Sequence, residues 1–134
     1  RGLGVSPDGR HLAFPDTSGQ VLWVMPTEGG EPREVHRLKE SESKYISWRV
    51  LEWTPDGRYL LFGKTKWTPD QPDAPEDDPI ELWRIPIGGG EAQELLAVEG
   101  LSDIRVHPDG RRIAFTGGQT HATEVWVMEN FLPE

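Results

Sequence analysis

Trp53-Thr54-Pro55-Asp56-Gly57-Arg58-Tyr59-Leu60-Leu61-Phe62 decides the fold, because it recurs. Val5-Ser6-Pro7-Asp8-Gly9-Arg10-His11-Leu12-Ala13-Phe14 precedes it, and Val106-His107-Pro108-Asp109-Gly110-Arg111-Arg112-Ile113-Ala114-Phe115 follows it. Three copies of a ten-residue pattern in 134 residues indicate a repeat protein. Each copy reads as a β-hairpin. Proline presets φ at the first corner of a tight turn, aspartate bonds its own backbone, and glycine accepts the positive φ that ends it. The expected turn residues are therefore Pro7, Asp8 and Gly9, then Pro55, Asp56 and Gly57, then Pro108, Asp109 and Gly110. Turn chemistry accounts for the aspartates without a metal or catalytic role.

The pattern continues downstream. Val21-Leu22-Trp23-Val24-Met25-Pro26, Glu81-Leu82-Trp83-Arg84-Ile85-Pro86 and Glu124-Val125-Trp126-Val127-Met128-Glu129 are three short strands with a central tryptophan. Gly29-Gly30-Glu31 and Gly89-Gly90-Glu91 are second tight turns, and residues 32–38 and 92–98 are outer strands. One unit is thus a four-stranded antiparallel meander, and repeated meanders of this kind are propeller blades. The expected fold is all-β, one β-propeller region over residues 1–134. Its units cover about 1–38, 45–98 and 101–134. The third unit stops after its tryptophan strand, so it lacks an outer strand.

These units resemble the PD40, or TolB-like, β-propeller repeat of bacteria, a WD40-like repeat. The matching pieces are Ser6-Pro7-Asp8-Gly9-Arg10, Thr54-Pro55-Asp56-Gly57-Arg58 and His107-Pro108-Asp109-Gly110-Arg111, each followed by a hydrophobic strand and a tryptophan strand. The resemblance covers nearly the whole chain and reads as a C-terminal portion of three blades. The repeat is also similar to segments of TolB, of tricorn-like and prolyl-oligopeptidase-type peptidases, and of propellers fused to regulators and kinases. It implies a bacterial protein and leaves periplasm and cytoplasm both open.

Closed propellers have about four to eight blades. Three blades leave two apolar inter-blade faces uncovered, and such patches mark missing contacts. The expectation is a partial ring, completed by the rest of a longer propeller or by a second copy in a six-bladed homodimer. The arginine at position 1 suggests a cut or processed piece, and the Phe-Leu-Pro tail resembles the natural end of such proteins.

Composition bounds the function. The net charge of −9, with 14 Lys and Arg scattered among acids, argues against nucleic-acid binding. The absence of cysteine excludes disulfides and thiolate sites. No apolar run reaches the roughly 18 residues of a membrane span, and no signal peptide is visible. No serine lies in a G-x-S-x-G elbow, and the four histidines lack metal-ligand spacing. The expectation is no enzyme, no cofactor and no metal.

Binding candidates come from two departures from the repeat. Tyr45-Ile46-Ser47-Trp48-Arg49-Val50-Leu51-Glu52-Trp53 is long for an inner strand. Inner strands begin at a mouth of the propeller channel, which makes Tyr45, Trp48 and Arg49 candidates for a ligand-facing surface. Strict alternation puts Ile46, Trp48, Val50 and Glu52 on one face, and inter-blade packing is the competing role for Trp48. The second departure is an insertion at 66–79, where Pro55 to Trp83 spans 28 positions against 16 and 18 in the other units. Its prolines and acids predict an irregular projecting loop. It lacks the ligand spacing and glycine of a Ca²⁺ loop. Trp67 within it is a candidate partner contact. Lys39–Lys44 reads as a solvated connection, with a helical turn or a partner contact as the alternative, and Gly117–His121 as a short loop. Arg10, Arg58 and Arg111 occur once per unit; lining the channel and pairing with an acid of a neighbouring blade are both open, and recurrence in every copy favours the pairing.

Two functions follow. One is a non-catalytic recognition or assembly module binding a protein, peptide or small ligand. The alternative is the substrate-gating portion of a prolyl-oligopeptidase- or tricorn-type peptidase. A third reading is a fragment made to study propeller assembly.

Overall fold

The structure, a computed structural model, describes residues 3–67, 78–119 and 122–133, without the side chains of Trp48, Gln119, Ala122 and Thr123. Among the described residues eleven strands make three antiparallel sheets. The first holds β1 (Gly4–Val5), β2 (His11–Pro15), β3 (Val21–Pro26) and β4 (Arg33–Arg37). The second holds β5 (Tyr45–Trp53), β6 (Tyr59–Thr65), β7 (Pro79–Pro86) and β8 (Gln93–Glu99). The third holds β9 (Ser102–Val106), β10 (Arg112–Gln119) and β11 (Ala122–Glu129). Each sheet is a meander in chain order, and the all-β blade architecture is the one the repeat predicts. Among the described residues no helix is long and apolar enough to cross a membrane.

The first strands of the three sheets are mutual neighbours, β1 against β5 and β5 against β9. The blades therefore fan outward from a hub. Two apolar cores fill the gaps between them. Ala13, Leu22, Val24 and Leu38 of the first unit pack on Ile46, Trp53, Leu60, Phe62 and Ile85 of the second. On its other face, Val50, Leu61, Ile80 and Leu82 meet Leu101, Ile104, Ile113, Phe115 and Phe131. The continuous run Tyr59-Leu60-Leu61-Phe62 is explained by this sandwiching. Alternate side chains of β6 enter different cores, so both faces must be apolar. Burying each such side chain contributes about 1.5–3 kcal/mol.

The outer faces are open. Val125 and Val127 occupy the positions of Leu22 and Val24 in the first unit. Those are 0% and 1% exposed, whereas Val125 and Val127 are 73% and 62% exposed. On the first blade, Leu3 and Val5 stand exposed where the third unit buries Ile104 and the second buries Trp53.

Three expectations are corrected. β5 does not alternate strictly, because its register against β6 jumps between Ser47 and Leu51. Lys39–Lys44 is more than a solvated loop: Glu40–Glu42 forms a 3₁₀ turn, and the Glu42 carboxylate pairs with the buried Lys64. β10 and β11 extend into the expected Gly117–His121 loop, pairing as far as Gln119 with Ala122, while Thr120 and His121 lie outside the described residues.

The tail also differs from a simple end strand. Asn130 takes a left-handed φ of 56° and diverts the chain back toward the second blade. Phe131 is fully buried there, and its carbonyl accepts a hydrogen bond from the Arg84 guanidinium.

Candidate functional site

The site is built on two register breaks in neighbouring inner strands. Ser47 pairs with Gly63 and Leu51 with Phe62, so residues 48–50 have no counterpart on β6. A bulge re-aims side chains and takes backbone groups off the ladder. Val50 anchors this one in the core at 0% exposure, while Arg49 stands exposed. The Arg49 amide donates to the Ser47 hydroxyl at 3.2 Å. Gly63 makes room, since a Cβ there would lie 2.9 Å from an Ile80 methyl and 3.0 Å from Val50 Cβ.

β9 breaks at the equivalent level. Ala114 pairs with Arg105 and Thr116 with Ser102, so Asp103 and Ile104 oppose Phe115 alone. Asp103 adopts φ 50°, a left-handed conformation that aspartate tolerates better than most residues. Ile104 anchors the bulge at 2% exposure, and Asp103 and Arg105 stand exposed. The two bulges form a ledge along the hub side of the second and third blades. Half-buried Glu52 lies on β5 near Arg105. Burial pushes its carboxyl above the usual range, and the Arg105 charge opposes that rise.

Among the sequence candidates, Arg49 lies in the ledge. The backbone of Trp48 lies in the same bulge, and its side chain is outside the description. Tyr45 begins β5 and pairs with Thr65. Trp67 follows β6 at that same end, its amide bonding the Thr65 hydroxyl at 3.4 Å and its indole bonding the Asp78 carboxylate. Lys66 pairs with Asp78 at 3.6 Å, so these three residues tie the neck of the insertion. Residues 68–77 of the 66–79 insertion lie outside the described residues. Sequence reasoning missed Glu52, Asp103 and Arg105. Nothing in the short run Ser102–Val106 departs from an ordinary strand, because a one-residue bulge leaves no mark on length.

The turns carry one set of bonds in all three units. Asp8, Asp56 and Asp109 each accept through Oδ1 from the amide of the following arginine-bearing position, Arg10, Arg58 and Arg111, at 2.8–3.0 Å. The carbonyls of those arginines accept from Thr27, Ile87 and Asn130. Their guanidinium groups are exposed and make no ion pair among the described residues. What the repeated arginine contributes is thus its backbone rather than an inter-blade ion pair.

Ser6, Asp8 and His11 share a cleft of about 180 Å³ beside Trp53 and Asp56. Their arrangement is not that of a nucleophile and its base. Ser6 donates to Asp8 at 2.6 Å, and what approaches the serine oxygen from His11 is the backbone amide, at 3.0 Å. Thr54 and Asp56 repeat these bonds with Tyr59 in the second unit, which marks them as turn chemistry. Among the described residues no group of three or more His, Asp or Glu is placed to hold a metal ion.

No family model matches the chain. A putative TolB from Agrobacterium tumefaciens superposes with a TM-score of 0.66 at 16% identity, over 96% of this chain and 44% of that one. The fold is that of a TolB-like β-propeller. A prolyl endopeptidase structure superposes on the same propeller segment with a TM-score of 0.60 at 19% identity, over 97% of this chain and 20% of that one. A curated relative, the uncharacterized peptidase YuxL of Bacillus subtilis (strain 168), is 28% identical over 149 residues, 89% of this chain. The propeller segment spans 22% of that relative's length.

Proposed function

We propose that this chain is a non-catalytic recognition segment of a β-propeller and that it binds extended polypeptide along the ledge of β5 and β9. The observation that carries the reading is the three-residue bulge at 48–50. It sits on a hub-side strand, frees backbone groups for a ligand, and presents Arg49 to solvent. Arg49 and Arg105 favour peptides that carry carboxylates, and the backbone groups supply contacts independent of side-chain sequence. Further blades, from a second copy or from the remainder of a longer propeller, cover Leu3 and Val5 on one side and Val125 and Val127 on the other.

The test is fluorescence anisotropy with a library of labelled acidic and neutral eicosapeptides. Saturable binding is expected, weakened about tenfold by Arg49→Ala, in line with the loss of a charge-assisted hydrogen bond. Absence of saturable binding overturns the reading.

The likeness to YuxL favours a second reading, in which the segment orients substrate within a larger peptidase. Gene sequence flanking this segment tests it. An adjoining α/β-hydrolase region with a nucleophile elbow supports that reading, and its absence removes it.

A further inference from the structure

The cleft of about 180 Å³ between the first two Pro-Asp-Gly turns carries more than turn chemistry. Pro7, Pro55 and Ile87 line it, together with the exposed Asp8 and Asp56. Trp53, only 5% exposed, closes its floor. The indole N–H is already taken by the Gly4 carbonyl at 2.9 Å, so the floor presents carbon rather than a donor. All the lining residues belong to the first two blades, each of which has four strands.

The turns use one oxygen of each aspartate. Asp8 Oδ1 accepts from the Ser6 hydroxyl at 2.6 Å and the Arg10 amide at 2.9 Å. Asp56 Oδ1 accepts from the Thr54 hydroxyl at 2.7 Å and the Arg58 amide at 3.0 Å. Neither Oδ2 has a partner among the described residues. The Ser6 hydroxyl and the Arg10 amide hold the Asp8 carboxyl below 3.8. Burial raises that of Asp56, but the Thr54 hydroxyl and the Arg58 amide outweigh it and hold it below 3.8 as well. Both are therefore charged at neutral pH.

The third turn shows what such an oxygen takes. There the residue after the repeated arginine is Arg112, and its guanidinium bonds Asp109 Oδ2 at 3.3 Å. The same position holds His11 in the first turn and Tyr59 in the second, and neither side chain bonds its aspartate among the described residues. Two carboxylate oxygens beside an apolar floor suit a guanidinium better than other cations. A Ca²⁺ ion takes about six to eight oxygens. An ammonium is a strongly hydrated point charge, whereas a guanidinium brings a planar fork of donors on a stem that packs along carbon.

We propose that this cleft binds an arginine side chain of a partner polypeptide. Its methylene stem lies on Trp53 and the two prolines, and its guanidinium is shared between Asp8 Oδ2 and Asp56 Oδ2. This site is distinct from the ledge of β5 and β9, whose arginines favour carboxylates, and it has the opposite charge preference.

The probe is an end-blocked pentapeptide with one arginine among glycines, titrated into the ¹⁵N-labelled chain and followed by amide NMR. Saturable shifts are expected at the Gly9 and Gly57 amides and at the Trp53 indole N–H. Citrulline in place of the arginine, nearly isosteric and uncharged, is expected to abolish them, and lysine to weaken binding about fivefold. Asp8→Asn and Asp56→Asn keep Oδ1 for the turn bonds, and each is expected to weaken the peptide about tenfold. Asp109→Asn, the same change in the third turn, is expected to leave affinity unchanged. Absence of saturable shifts at tens of millimolar peptide overturns the assignment. So does equal binding of the citrulline or lysine peptide, or an equal loss in Asp109→Asn. Ethylguanidinium is expected to bind more weakly than the peptide, and equal affinity overturns the polypeptide partner. Arg49→Ala is expected to leave cleft affinity unchanged, so failure at the cleft leaves the ledge reading standing.

Discussion

The ammonium of Lys64 lies 3.7 Å from the centre of the Trp83 ring, and the lysine is only 2% exposed. A buried lysine in an all-β core is costly unless its charge is matched. Here the match comes from two directions. The face of Trp83 supplies a cation–π contact, and Glu42 of the 3₁₀ turn supplies a carboxylate at 2.9 Å. Trp83 in turn donates its indole N–H to Glu81, and Glu81 binds Lys44 at 2.5 Å. The connection between the first and second blades is thereby bound at Glu42 and Lys44 to the strands it precedes.

Removing the two members of the buried pair should have unequal effects. Lys64→Met keeps the length of the side chain and its contact with Trp83, and it removes the need for a counter-charge. Replacement of a buried ion by a matching apolar group is often neutral or stabilising. Glu42→Gln leaves Lys64 charged and poorly matched, at a cost of about 1–3 kcal/mol. Urea unfolding of both variants checks this. Equal destabilisation by the two substitutions would show that the pair itself, rather than the stranded charge, sets the energy.

Stability should fall with acid in two steps. Burial pushes the His36 imidazole below its ordinary value of 6.5, and the nearby Lys64 charge adds to this. Glu42 and Glu34 oppose the shift. Its buried Nε2 has no hydrogen-bond partner among the described residues, and the ring lies 5.3 Å from that of Phe62. The unfolded chain therefore takes up a proton that the folded one resists. The stability His36 gives is fully present above 6.5 and declines as pH falls through its lower folded value. A second loss belongs to Glu42. Burial alone would raise its carboxyl, but the Lys39 amide and Lys64 hold it below 4.5. Asp8, Asp16, Asp56 and Asp109 are likewise held below 3.8. Glu52 is raised and works the other way, losing stability as pH rises through its folded value. Tm measured from pH 7.5 down to pH 3 should show both losses, and His36→Gln should abolish the upper one alone.

The parts of this fold that the chain spells out are those set by local chemistry. Pro-Asp-Gly needs only its own five or six residues to make a turn, so all three hairpins can be read directly. The tryptophan strands follow from the hairpins by spacing. The Lys64–Glu42 pair could not be read the same way, because 22 positions separate residues that meet only when two blades dock. The bulges are hidden for a related reason. Nine residues at Tyr45–Trp53 signal an extra length, but the register against β6 depends on Gly63 leaving space for Val50. The anchoring of Phe131 between blades is equally a product of docking.

His107 stands where the other two turns have a hydroxyl. In those turns Ser6 and Thr54 donate to the aspartate, at 2.6 and 2.7 Å, and accept from the first amide of the next strand, at 3.0 and 3.1 Å. His107 instead accepts through Nδ1 from the Asp109 amide at 3.1 Å, and its ring lies against the Arg112 guanidinium. His107→Thr should restore the two hydroxyl bonds and raise stability by about 1 kcal/mol. The converse, Thr54→Ala, should cost about 1–2 kcal/mol because the site is fully buried. Thermal melts of both decide the point. A neutral or destabilising His107→Thr would mean that the third turn is organised around its arginine.

Gly63 links stability to the candidate ledge. A methyl at this position would press on Ile80, Val50 and Ser47, at 2.9, 3.0 and 3.2 Å, all from the Cβ alone. None of these atoms is the far end of a flexible chain, since Val50 and Ser47 meet it with Cβ and Ile80 with a branched methyl. Gly63→Ala should therefore cost about 1–3 kcal/mol through overpacking. Its specific consequence is at the bulge, which must shift outward and carry Arg49 with it. In the paired substitution Gly63→Ala with Val50→Ala, residue 50 keeps its Cβ but loses the γ-methyls that hold it in the core, so the bulge can move off the added methyl and relieve part of the strain. Peptide affinity at the ledge should stay reduced, because the anchor that aims residues 48–50 is gone. Urea unfolding and anisotropy on the single and double variants together check the argument. Full recovery of affinity in the double variant would show that Val50 does not position the ledge.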